Sequence, residues 1–250
     1  MFKPMLTAGA LTLATLLPAA ALDLDAMTDA ERDAFRAEVR AYLLDNPEVL
    51  MEAIGVLEDR QAAEQAANDA ELLQVNAEAL FNDPTSWVGG NPDGDITVVE
   101  FLDYRCGYCR RAHPEVAELI ASDGNIRLIV KEFPILGDES VLASRFALGV
   151  REVEGDGAYK EVNDALMAFR GNMTEQGLSD LSESLGYDTP AVFAAMNGEA
   201  VQQTIVNNRA LGQRMGINGT PSFVFGDELV RGYVPLDGMR EIIEDVRGES

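Results

Sequence analysis

ITVVEFLDYRCGYCRRAHPEVAELIAS, residues 96–122, runs a β-branched, apolar stretch directly into a Cys-x-x-Cys pair and follows the pair with apolar residues at helical spacing. A buried strand over Ile96–Leu102 and a helix opening near Cys106 are the expected local structures. IRLIVKEFPIL (126–136) reads as a second strand, and several helices fill about 138–215, punctuated by EGDG, RGN and DTPA. PSFVFG and ELVRGYV form a hairpin about Gly226-Asp227, and a last helix runs from about Leu236 to Val246. Strand, helix, strand, helical block, hairpin, helix is the order of an α/β domain carrying a helical insertion.

On the N-terminal side, NDPTSWVGGNPDGD (82–95) is dense in turn formers and reads as a linker. Before it, residues 28–81 look helical. TDAE (Thr28 to Glu31) fits a capping box, the first helix runs to about Leu44, and DNPE restarts a second with Asn46 as cap and Pro47 in the first turn. The second helix is expected to reach about Leu80. Its apolar residues form two seams, Leu50, Ile54 and Leu57, then Ala66, Ala70, Leu73, Ala77 and Leu80, which are out of register with each other. A helix lying on the main domain and a stalk joining copies of the chain both fit, and periodicity does not choose between them.

MFKPMLTAGALTLATLLPAAALDLD opens with Lys3, continues with an apolar run from Met5 to Leu17 and closes on Ala19-Ala20-Ala21, the pattern of a secretory signal peptide cut near Ala21. The run falls short of the roughly 20 residues that span a bilayer. The expected organisation is therefore a signal peptide over 1–21, an N-terminal helical segment over 22–81 and an α/β domain over 82–250, exported to a compartment where disulfide chemistry is possible. A net charge of −24 over 250 residues argues against nucleic acid as a partner.

Cys106 and Cys109 are the only cysteines and His113 the only histidine, so a four-ligand zinc site has too few of its usual donors. Two thiolates alone could hold Cu(I). A structural bridge this short would remove little entropy from the unfolded chain. Redox chemistry fits the position better. A helix opening at Cys106 sets the first sulfur against free backbone N–H groups and the positive end of the helix dipole, which favours the thiolate. Arg105, Arg110 and Arg111 add local positive charge. Cys106 is then the nucleophile, and Cys109, one turn inside, resolves the mixed disulfide. Gly107 and Tyr108 between them tune the poise; Tyr108 offers a phenolic hydroxyl where a histidine would stabilise the thiolate by charge, so a lower reduction potential than that of the strongest oxidants is expected. His113 reads as a helix-surface residue without a catalytic part.

VVEFLDYRCGYC, the Phe-Pro of KEFPILG and NGTPSFVFG, in that order, resemble the DsbA family of thioredoxin-fold thiol–disulfide oxidoreductases over about residues 82–246. GGNPDGDITVVEFLDYRCGYC and the helical N-terminal extension resemble more narrowly its ScsC-like branch, the suppressor-of-copper-sensitivity proteins. The resemblance implies a thioredoxin fold with an inserted helical domain, preceded by an N-terminal helical extension. It implies that Cys106 is nucleophile and Cys109 resolving cysteine, that Thr220-Pro221 carries a cis bond beside them with the Thr220 backbone pairing to substrate, and that Glu100 is a buried acid under the pair. For Thr220-Pro221 an ordinary turn is the alternative. For Glu100, strand alternation places it among apolar neighbours, where its pKa rises and it relays the Cys109 proton; a solvent-facing edge residue is the alternative.

The resemblance further implies a periplasmic enzyme without a cofactor beyond the redox-active Cys106–Cys109 disulfide. Its substrates are exported proteins with disulfides or free thiols, its partner is a membrane thiol reductant of the DsbD/ScsB type, and its assembly is a homotrimer. CGYC with a threonine before the proline resembles disulfide isomerases or reductases more than dedicated oxidases. A monomeric DsbA-like oxidase, and a copper-binding or copper-tolerance protein holding Cu(I) at Cys106 and Cys109, are the alternatives. The methionines are scattered and build no site beside the pair.

Overall fold

The computed structural model describes residues 27–249, so the signal-peptide segment lies outside the described residues. Thr28 caps α1 (Asp29–Asp45) through the expected capping box, its hydroxyl accepting from the Glu31 N–H while the Glu31 carboxylate accepts from the Thr28 N–H. α2 (Glu48–Val75) and α3 (Ala77–Phe81) follow, separated at Asn76, whose side chain turns back to the Leu72 carbonyl. The expected second helix is thus two helices.

The chain divides into two compact units at Arg60/Gln61, inside α2. The two apolar seams explain the position. Leu73 and Leu80 are buried with the sheet residues Val99, Phe101, Ile129 and Val224, so the second seam belongs to the larger unit. Leu50, Ile54 and Leu57 of the first seam are exposed, and α1 buries no side chain at all.

Residues read as a linker contain a strand, β1 (Trp87–Gly90). Its glycines hide a strand from propensity, but Trp87 anchors it: the indole N–H donates to the Asp156 carbonyl at 2.9 Å. β2 (Ile96–Leu102), α4 (Gly107–Asp123) and β3 (Ile126–Glu132) then form a parallel crossover unit. Between β3 and the next strand lie α5 (Asp138–Glu154), α6 (Asp156–Ala168), α7 (Glu175–Leu185), α8 (Thr189–Ala195) and α9 (Glu199–Arg214), the helical insertion. β4 (Ser222–Phe225), β5 (Glu228–Arg231) and α10 (Leu236–Glu249) complete the chain, with Gly226 at φ 60° in the hairpin turn. The sheet order is β1-β3-β2-β4-β5, with only β2 and β3 parallel.

β2 alternates between two cores. Val98 and Leu102 pack with Val116 and Leu119 of α4, while Val99 and Phe101 face Leu73, Leu80 and Leu211. Both faces of the central strands are covered, which is why they read as continuous apolar runs. Glu100 shares the α4 side with Val98 and Leu102.

Candidate active site

The corner between β2 and α4 is built by Asp103. Its Oδ1 accepts from the Arg105 N–H at 2.7 Å and its Oδ2 from the Ile135 and Leu136 N–H groups at 2.8 and 3.0 Å, tying the turn to the segment after β3. Cys106 is the N-cap of α4, in extended conformation, and its sulfur accepts from the Cys109 N–H at 3.4 Å. The Cys106 thiol also lies 3.1 Å from the Thr220 carbonyl, and the Thr220-Pro221 bond is cis. The Thr220 hydroxyl is buried without a hydrogen-bond partner. The structure therefore brings Cys106, Cys109, Thr220 and Pro221 together; both cysteines are free thiols.

The two sulfurs are electrostatically opposed. The Cys106 thiol is lowered from 9.0 to about 5, chiefly by a hydrogen bond with the Cys109 thiol; burial opposes this, and Thr220 and the Cys109 and Tyr108 backbones add to it. The Cys109 thiol, fully buried, is pushed far up by loss of solvent, by its hydrogen bond with Cys106 and by the Glu100 charge. Glu100 is itself buried, at 2% exposure, with Oε1 unpartnered, and its carboxyl rises from 4.5 to about 8, first through burial and then through Glu132. Gly107 has open space around its Cα, and the Tyr108 ring is exposed, 5.8 Å from the ring of Tyr233. Arg111 covers the other aromatic partner, with its guanidinium 4.7 Å from the Tyr233 centroid.

Glu132, at the end of β3, is a second buried acid that sequence reasoning passed over. It accepts from Tyr104 and Tyr159 hydroxyls, both at 2.6 Å, and from Ser144 at 2.7 Å; burial outweighs these bonds and lifts it to about 7. The alternation that flags Glu100 in ITVVEFL also flags a charge within IRLIVKE, and was the available signal. Its phenol partners come from α6 and from the turn before Cys106, a convergence with no sequence signature. His113, read as a helix-surface residue, is partly covered. Its side chain is 20% exposed rather than on the open surface, its Nε2 lies 2.7 Å from Asp164 on α6, and it shares a cavity with Glu100. Pro114 and the polar residues around it suggest an exposed face, but α6 packs over that part of α4.

Among the described residues, no group of three or more His, Cys, Asp or Glu side chains could hold a metal ion, and no helix is long and apolar enough to cross a membrane. Cys106 and Cys109 alone supply the two soft donors that Cu(I) accepts.

Residues 97–244 match the family described as DSBA-like thioredoxin domain, and residues 31–64 match the copper resistance protein ScsC N-terminal domain. A thioredoxin-like oxidoreductase from Silicibacter pomeroyi DSS-3 is 43% identical, covering 68% of this chain and 97% of its own, with a TM-score of 0.65. A linker-deletion mutant of Proteus mirabilis ScsC is 28% identical over 90% of this chain and 99% of its own, with a TM-score of 0.67. Among curated proteins, Na(+)/H(+) antiporter NhaA 1 of Salinispora arenicola is 28% identical over 137 residues, 54% of this chain; the chain spans only 21% of that relative's length. With a family match covering more than half its length and the Cys-x-x-Cys helix start set against a cis-proline loop, the chain belongs to the DsbA-like thioredoxin-fold family of thiol–disulfide oxidoreductases, with ScsC proteins among its structural neighbours.

Proposed function

We propose that the chain is a periplasmic thiol–disulfide exchange enzyme that acts as an isomerase or reductase on misoxidised exported proteins. The opposed ionisation of Cys106 and Cys109 carries this reading. A Cys106 thiolate present at neutral pH attacks a substrate disulfide, forming a mixed disulfide and releasing one substrate sulfur. Cys109 then gives its proton to Glu100 in its ionised form, the minority form at neutral pH given its midpoint of about 8, and attacks the Cys106 sulfur, closing the Cys106–Cys109 bond and expelling the second substrate sulfur. The Thr220 carbonyl, beside the nucleophile, is the backbone group available to align a bound substrate segment.

The direction of exchange follows from the poise. A Cys106 midpoint of about 5 lies between about 7 for thioredoxin and about 3.5 for strongly oxidising DsbA. A lower thiolate pKa stabilises the reduced form and makes the disulfide a stronger oxidant. An intermediate value supports exchange in both directions, as an isomerase needs, with a membrane thiol reductant of the DsbD/ScsB type keeping the pair reduced.

The N-terminal unit is the proposed assembly element of a homotrimer. Phe35, Tyr42, Leu44, Leu50, Ile54 and Leu57 are exposed there, and burying such a surface against other copies would supply a core that the described residues of this unit do not form among themselves. The signal-peptide pattern read in residues 1–21 supports export.

Refolding of a scrambled multi-disulfide protein tests this, using the wild-type chain, Cys106→Ser and the double substitution Ile54→Glu/Leu57→Glu. Loss of isomerase activity in both variants, with the double variant monomeric, supports the reading. A double variant that is monomeric and fully active makes the chain a DsbA-like enzyme that needs no assembly. Equal inactivity of wild type and Cys106→Ser, with Cu(I) retained only by wild type, moves copper binding to the front, the reading favoured by the N-terminal match to a copper resistance protein.

A further inference from the structure

Between α4, α6 and the sheet lies a cavity of about 170 Å3, room for several water molecules. Val116, Leu128 and Val130 make much of its wall, but four polar residues also line it: Glu100, His113, Lys160 and Asn163. An apolar void stays dry, whereas one offering two to four polar partners holds water. The side chains form a gradient towards solvent. Glu100 is 2% exposed, His113 20%, and Lys160 and Asp164, which pair with each other, 45% and 47%.

Glu100 poses the question that the cavity answers. With a midpoint of about 8 it is mostly protonated at neutral pH, so it must shed its own proton before it can take the one from Cys109, yet it has no protein partner at Oε1 and almost no contact with bulk water. We propose that the cavity is a water-filled proton passage joining Glu100 to solvent, and that His113 hands the proton across its rim. This rests on the exchange activity proposed above. The contact with Asp164 assigns the His113 proton to Nε2, leaving Nδ1 as acceptor. A proton arriving at Nδ1 by way of water releases the one on Nε2 towards Asp164 and bulk solvent, and the ring need not turn.

The balance closes within one resolution step. Cys109 loses a proton and forms a bond to Cys106, the bond from Cys106 to substrate sulfur breaks, and that sulfur departs with the electron pair. The proton leaves through Glu100, water and His113, and the substrate thiolate is protonated by solvent. The titratable and charged groups about the route are Glu100 on β2, Glu132 on β3, His113 on α4, and Lys160 and Asp164 on α6. Burial holds His113 below its usual value of 6.5, with Lys160 acting the same way and Asp164 opposing, so the ring is neutral and able to accept at neutral pH.

The test is stopped-flow reaction of the reduced chain with a symmetrical aromatic disulfide that releases a coloured thiolate. The first equivalent reports attack by Cys106, the second reports resolution by Cys109. His113→Asn keeps a hydrogen-bonding side chain towards Asp164 but cannot titrate; Ala117→Leu narrows the cavity's lining while leaving His113 in place. Both variants should slow the second release by about tenfold or more, enlarge its slowing in D2O, and leave the first release and its pH profile unchanged. Second-phase rates equal to wild type in both variants overturn the passage. Slowing in His113→Asn alone overturns the water route. A wild-type chain that releases no second equivalent overturns the exchange reading and the passage with it, whereas normal wild-type release with unaffected variants removes the passage alone.

Discussion

Glu100→Gln should make the protein more stable at neutral pH while slowing its resolution step. The Glu100 carboxyl titrates at 4.5 when solvated and at about 8 in the fold. Below 4.5 it is neutral in both states and contributes nothing to pH dependence. Above 4.5 the unfolded chain gains by ionising and the buried carboxyl does not follow, so stability falls as pH rises. Each pH unit between the two values is worth about 1.4 kcal/mol, which makes the wild-type loss about 3 kcal/mol by pH 7; above 8 the loss levels off. Glutamine does not titrate and escapes this. Its amide can leave unmet hydrogen bonds worth about 1–3 kcal/mol, but that penalty does not vary with pH. Glu132 remains in both proteins, so its own titration largely cancels. Urea unfolding of the reduced proteins at pH 5, 6, 7 and 8 reads the difference directly. A stability difference that stays constant from pH 5 to 8 would refute the buried, neutral carboxyl.

Further outcomes follow from the same geometry. Alkylation of Cys106 by iodoacetamide should rise with a midpoint near 5, with Cys109 unlabelled in the folded chain; Cys109→Ala removes the largest stabilising bond and should move that midpoint upward by about a unit or more, read by mass spectrometry across pH. Leu80→Ala, at a fully buried site under the sheet, should cost about 2–5 kcal/mol in denaturant unfolding. Gly212→Ala should cost about 1–3 kcal/mol, because a Cβ there would lie 2.4 Å from the Phe133 ring; an unchanged midpoint would show that α9 does not press on that ring.

Composition cannot reveal the second face of α2. Its two apolar seams are visible in the sequence, but which seam has a partner depends on a sheet assembled from residues 87–231. Leu73 of α2 and Leu80 of α3 meet that sheet, while Leu50, Ile54 and Leu57 are exposed. The same holds for β1: a strand containing Gly89-Gly90 exists because β3 offers it an edge and Trp87 finds the Asp156 carbonyl. Long-range pairing overrides local turn propensity here.

Chain order by itself determined the α/β class, the corner from strand to helix at Cys106, the capping box at Thr28 and the hairpin at Gly226, because each depends on neighbours a few residues apart. Asymmetry between the two sulfurs was partly legible too, since a helix start exposes N–H groups to its first residue and buries the residue one turn on. Only the tertiary structure decided the rest of the electrostatics. Glu100 and Glu132 come together because β2 and β3 pair, and phenols from before α4 and from α6 reach Glu132 because the insertion closes over the sheet. His113, on a face that spacing alone leaves to solvent, becomes part of a shared cavity for the same reason. Charges buried by distant segments take their pKa values from those segments, and no local pattern carries that information.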